Sequence, residues 1–142
     1  MNIIVNRHFI TKVIFTNKDS QDRLNDYLIG LQTFYDIADY ITINISSPNT
    51  KNLRNFHDQN KFNELLSSIE DEKKVLKSNI PIVVKISPDI LDNQINQISE
   101  ILLKHQVKAI IVSNTTESCR ENLQDILKHQ KGGLSGKPLE LK

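Results

Sequence analysis

The chain has 142 residues, 38% of them hydrophobic, which suits one modest core and a single domain over residues 1–142. Eighteen Lys and Arg against seventeen Asp and Glu leave a net charge of +1, with the signs mixed as in Asp71-Glu72-Lys73-Lys74, so no footprint for nucleic acid is present. A lone cysteine, Cys119, excludes an internal disulfide and a multi-thiolate zinc site, and no apolar run approaches the ~20 residues of a membrane span.

His8, His57, His105 and His129 fall in no metal-ligand spacing, so no metal is assigned. The N-terminus lacks the basic, apolar, small order of a signal peptide, and the expectation is a soluble, intracellular chain.

Residues 9–15, Phe-Ile-Thr-Lys-Val-Ile-Phe, are β-branched and aromatic and predict a strand. Leu24, Tyr27, Leu28, Leu31 and Phe34 then recur at helical spacing, with Asp19 or Ser20 as N-cap and Asp22 in the first turn. The run Ile41-Thr42-Ile43-Asn44-Ile45-Ser46 alternates apolar and polar residues, and Pro48 stops strand pairing beyond it. Phe62, Leu65, Leu66 and Ile69 mark a second helix running to about Lys77.

Ile82-Val83-Val84-Lys85-Ile86 reads as a strand covered on both faces, and Ser87-Pro88-Asp89 ends it. A third helix has Ile95, Ile98, Ile101 and Leu102 as its stripe and Asp92 as its cap. Ala109-Ile110-Ile111-Val112 forms a fourth strand. A weaker helix with Leu123, Ile126 and Leu127 precedes Gly132-Gly133-Leu134-Ser135-Gly136. Four βα units predict an α/β fold with a parallel sheet.

Polar residues follow three successive strands: Asn44 to Asn49, Lys85 to Pro88, and Ser113 to Thr116. At the C-terminal ends of parallel strands such groups converge on one pocket mouth. Each has a plainer role open to it. Ser46, Ser47, Pro48 and Asn49 can be turn residues, and Asn114, Thr115 and Thr116 an N-cap cluster. The glycines of 132–136 can form a plain loop or a cradle for a phosphate or a flat cofactor. Lys85 is less easily dismissed, because lysine is seldom buried in an apolar strand without a partner or an electron-rich ligand.

The motifs Asn44-Ile45-Ser46-Ser47-Pro48-Asn49-Thr50 with Leu53-Arg54, Val84-Lys85-Ile86-Ser87-Pro88-Asp89, Ser113-Asn114-Thr115-Thr116 and Gly132-Gly133-Leu134-Ser135-Gly136-Lys137-Pro138 come in the order and spacing of a known family. From about Asn17 onward the chain resembles class 2 dihydroorotate dehydrogenases, the quinone-linked type. The resemblance implies part of a TIM (β/α)8 barrel, roughly four of its eight βα units, with FMN at its top and oxidation of dihydroorotate to orotate in pyrimidine biosynthesis. It implies Ser47 as catalytic base, a position that is cysteine in class 1. It further implies Asn44, Asn49, Asn114 and Thr115 as substrate contacts, and Asn17, Asn44, Lys85, Ser113 and Gly136 as flavin contacts. At Asn17 the match is looser, since Phe15 stands where the family has glycine.

The resemblance leaves out the family's first strands, the N-terminal helices that dock on the inner membrane and admit quinone, and the later loops that bind the FMN phosphate. The expectation is therefore a chain inactive by itself. Three outcomes stay open: one half of a split enzyme with a complementing chain, a homodimer of half-barrels, or a non-catalytic remnant or interaction module.

Overall fold

A computed structural model describes residues 10–14, 20–47, 58–118, 120–121 and 123–140. Four strands, β1 (Thr11–Ile14), β2 (Tyr40–Asn44), β3 (Ile82–Lys85) and β4 (Ala109–Ile111), alternate with three helices, α1 (Arg23–Phe34), α2 (Gln59–Val75) and α3 (Asp92–Lys104). The strands are all parallel and lie in the order β1-β2-β3-β4.

One apolar cluster joins Tyr27 and Leu31 of α1, Phe62, Leu65, Leu66 and Ile69 of α2, and Ile98, Ile101 and Leu102 of α3 to Ile41, Ile43, Ile82 and Val84 of the sheet. All three helices therefore cover the same face. A doubly wound sheet would carry helices on both faces, whereas sequential strands with helices on one side form the arc of a barrel. Thr42 and Val83, paired in register, lie on the opposite, inner face and are also buried. The Thr42 hydroxyl has no hydrogen-bond partner there among the described residues.

Several elements depart from the sequence expectations. The α1 cap is Asp22, whose carboxylate accepts from the Asn25 amide at 3.0 Å, in place of Asp19 or Ser20. Asp92 lies inside the first turn of α3, where Leu91 is the cap and the Gln94 side chain accepts from the Leu91 amide at 3.2 Å. Ile95 was expected in the buried stripe but is 49% exposed, lining an open groove with Ile86, Ile90 and Val112.

The predicted fourth helix is not formed. Only a 3-10 turn, Ile126–His129, stands there, with Ile126 exposed. An apolar residue left in solvent, as Ile126 is, adds nothing to offset the cost of helix nucleation.

Both α2 and α3 end on a non-glycine residue in the left-handed region, Lys77 and Gln106, each at φ 50°. The amides that follow close the ends: Ser78 donates to the Lys73 carbonyl at 2.9 Å and Val107 to the Leu102 carbonyl at 3.0 Å. This is the Schellman pattern, which satisfies carbonyls the last helical turn leaves free.

Candidate active site

The parallel ladder sets Asn44 beside Lys85 and Lys85 beside Ile111. Register partners share a face, so these three side chains form one row on the inner side of the arc. Lys85 closes β3 and is half-buried, and no carboxylate among the described residues pairs with it.

Beyond this row the chain turns polar and bonds to itself. The Asn44 amide oxygen accepts from the Ser46 backbone N–H at 3.1 Å and from the Ser46 hydroxyl at 2.8 Å. The Asn114 side-chain amide donates to the same Ser46 hydroxyl at 2.9 Å, tying the end of β2 to the segment after β4 across the intervening strand. Asn114 is held in turn by its own N–H, which donates to the Ile86 carbonyl at 3.0 Å, and its amide oxygen accepts from the Thr115 N–H at 2.8 Å. Ser46 is fully buried. A buried hydroxyl that donates to one amide and accepts from another has its bonding capacity met, which fixes both asparagines.

Tyr27 reaches this end from α1, its hydroxyl donating to the Asn44 carbonyl at 2.7 Å. Burial pushes the phenol well above the ordinary tyrosine range, so it stays a donor. Residues 132–136 are brought alongside by a two-way backbone bridge: the Thr116 N–H donates to the Leu134 carbonyl at 3.0 Å, and the Leu134 N–H to the Thr116 carbonyl at 2.7 Å. Gly133 approaches so closely that a Cβ there would overlap the Thr115 hydroxyl, a need for glycine that is spatial. At Gly136 the need is conformational, with φ at 80°.

The structure thus brings together Asn44, Asn114, Thr115 and Gly133, with Lys85 in the adjoining row. Ser47, half-buried, directly follows Ser46, and the Ser113 hydroxyl donates to the Asn114 carbonyl at 3.1 Å. Asn17 and Asn49 lie outside the described residues. Sequence reading missed Ser46 as the hub, Tyr27 as a support and Asp89 as an anchor. For Ser46 a signal existed: it follows Ile45 in an alternating run, which points it to the same inner face as Asn44.

Among the described residues no group of three or more His, Cys, Asp or Glu could hold a metal, and no helix is long and apolar enough to cross a membrane. A groove of about 610 Å³ lies at the other end of the sheet, lined by Leu66, Glu70, Lys73, His105 and Lys108 among others. None of the motif residues reaches it.

The family model of dihydroorotate dehydrogenase matches residues 4–141. The chain is 44% identical over 131 residues to the dihydroorotate dehydrogenase (quinone) of Rhizobium meliloti (strain 1021), and 43% identical over the same length to that of Agrobacterium fabrum. In both comparisons 89% of this chain matches 36% of the relative, so the chain spans little more than a third of those proteins. Two solved structures of the enzyme from Eimeria tenella superpose on it. The complex with ferulenol has a TM-score of 0.87 at 30% identity, over 96% of this chain and 41% of that one. The ligand-free form has a TM-score of 0.88 at 31% identity, over 99% and 43%. The four-stranded arc is part of their TIM barrel, and the chain belongs to the dihydroorotate dehydrogenase family.

Proposed function

We propose that this chain is the segment of a quinone-linked dihydroorotate dehydrogenase that carries the substrate-facing side chains, and that it turns over only when further βα units complete the barrel. The observation that carries this reading is the hydrogen-bonded path Asn44–Ser46–Asn114, which ties β2 to the segment after β4 beside Lys85. Its side-chain amides suit a planar imide ring, since each offers a donor and an acceptor in one plane.

In this reading Asn44, Asn49, Asn114 and Thr115 hold dihydroorotate, and Ser47 takes the proton that leaves the ring as it is oxidised to orotate. Serine is a weak base unaided, so a neighbouring group or water must carry the proton onward. FMN, when bound, accepts the hydride. The residues present fit its ring: the half-buried Lys85 ammonium, without a carboxylate partner among the described residues, suits an electron-rich system, and Gly133 lets a flat group come near. Asn17, Asn44, Lys85, Ser113 and Gly136 would line it, while the remaining barrel would hold its phosphate. Quinone as final acceptor follows the name of the curated relatives.

A second reading, a non-catalytic remnant or interaction module, is favoured by the exposed apolar sheet edges: Ile10 and Val13 on one side, Ile110, Ile111 and Val112 on the other. Titration with FMN separates the two, run on the chain alone and on the chain mixed with a polypeptide supplying the other βα units. Stoichiometric flavin binding in either arm, with bleaching by dihydroorotate, supports the enzyme reading; no binding in both leaves the remnant. Sedimentation of the chain alone checks for a homodimer of half-barrels. Ser47→Ala should keep flavin affinity while slowing bleaching ~100-fold near neutral pH. Unchanged bleaching rejects Ser47 as base.

A further inference from the structure

β4 is only three residues long and every one of them is exposed, so burial of the strand itself does little to fix the segment that follows it. That segment nevertheless carries Asn114 and Thr115 and pairs with residues 132–136. The Asp89 carboxylate, within the β3–α3 connection, accepts hydrogen bonds from that segment's described residues: from the Thr116 hydroxyl at 2.5 Å, the Ser118 hydroxyl at 2.9 Å and the Glu117 N–H at 3.2 Å. These bonds join residues 27 to 29 apart in sequence, which separates them from an ordinary local turn.

Asp89 is itself anchored, its N–H donating to the hydroxyl of buried Ser87 at 3.1 Å. Thr116 is fully buried, and its backbone makes both bonds of the bridge to Leu134. One carboxylate thus begins a continuous path from β3, through Thr116 and Leu134, to Gly133 against Thr115. The geometry points to Asp89 as a positioning residue that sets the segment after β4 and the glycine segment in register with each other over the pocket. A carboxylate suits the task, because its bonds are charge-assisted and two oxygens can serve three donors.

The inference rests on the reading of Asn114 and Thr115 as substrate contacts, and its test keeps the two apart. Amide hydrogen exchange is measured on the full chain for wild type, Asp89→Ala, Asp89→Asn and Thr116→Val, alongside orotate titration in the presence of FMN and of the polypeptide supplying the other βα units. In Asp89→Ala, protection at the Thr116 and Leu134 amides should fall at least ~10-fold while that of α2 is unchanged, and orotate affinity should fall ~10-fold. Asp89→Asn keeps one carbonyl acceptor and should recover part of both.

Unchanged exchange at Thr116 and Leu134 in Asp89→Ala overturns the proposal, and so does lost protection with full orotate affinity. If Asp89→Ala fails to fold, Thr116→Val decides: it removes one hydroxyl and should reproduce the local loss, and an unaltered pattern refutes the path. A wild type that binds neither FMN nor orotate, alone or with the complementing polypeptide, removes the functional reading alone, because exchange still reports whether Asp89 sets the register.

Discussion

The two ends of the sheet spend their polar residues differently. At the N-terminal end, Lys73 and Lys74 lie in the last turn of α2 and Lys104 in the last turn of α3, where cations oppose the negative end of the helix dipole. Partial burial, and then the nearby Lys108, lower the Lys73 pKa from its ordinary value. Buried His105 meets the Asn63 amide oxygen at 3.1 Å from Nε2, and the Glu70 carboxylate lies 3.1 Å from Nδ1 without hydrogen-bond alignment. These groups finish helices. At the C-terminal end, amides and hydroxyls bond across strands far apart in sequence and leave Lys85 without a carboxylate among the described residues. Charge that terminates a helix serves stability, whereas amides and hydroxyls locked at strand ends, with the Asp89 carboxylate tied up in hydrogen bonds and Lys85 half-buried beside them, suit a site.

That contrast can be broken or sharpened by substitution. The largest effect is expected beneath both ends. Phe62→Ala, at a fully buried position of α2, should cost about 3–5 kcal/mol in chemical denaturation and leave the chain largely unfolded. Tyr27→Phe strips one donor from the Asn44 carbonyl and should cost about 1–2 kcal/mol.

The same variant has a pH signature. The folded phenol titrates above its free value of 10.0, so its contribution is whole below pH 10 and is lost as pH rises beyond it. Stability measured from pH 8 to 11 should therefore fall more steeply for wild type than for Tyr27→Phe.

Thr42→Val replaces a buried hydroxyl that lacks a partner with a methyl and should stabilise by about 1 kcal/mol, raising the denaturation midpoint. Lys77→Gly, at the other end, relieves left-handed strain and should gain about 0.5–1 kcal/mol by the same assay. Smallest is Val112→Ser on the exposed edge, within ±0.5 kcal/mol in stability, with less light scattering on concentration.

The strands were legible because Ile82-Val83-Val84-Lys85 and Ile41-Thr42-Ile43-Asn44 carry their patterns locally. Helix ends were less so. Asp19, Ser20 and Asp22 are all competent caps, and which one is used depends on where Tyr27 and Leu31 must point to reach the core. The missing fourth helix shows the same dependence, since Leu123 and Ile126 had the spacing but Ile126 stays in solvent. At the candidate site, the placement of Asn44 and Asn114 at strand ends was legible from the strand pattern. Ser46 as their shared partner was not, because that bond spans 68 residues, and Asp89 read only as the close of a strand.

The row Asn44–Lys85–Ile111 makes the placement of positive charge an all-or-none matter. Side chains alternate along β3, so a slip of one residue against β2 would exchange Lys85 with Val84. It would drive an ammonium among Ile43, Phe62 and Leu66 and turn a valine toward the pocket. Such a burial costs several kcal/mol, more than a three- or four-residue ladder could return. The lysine is therefore the proofreader of its own strand: the chain that pairs wrongly is removed by the same charge that the proposed site would use.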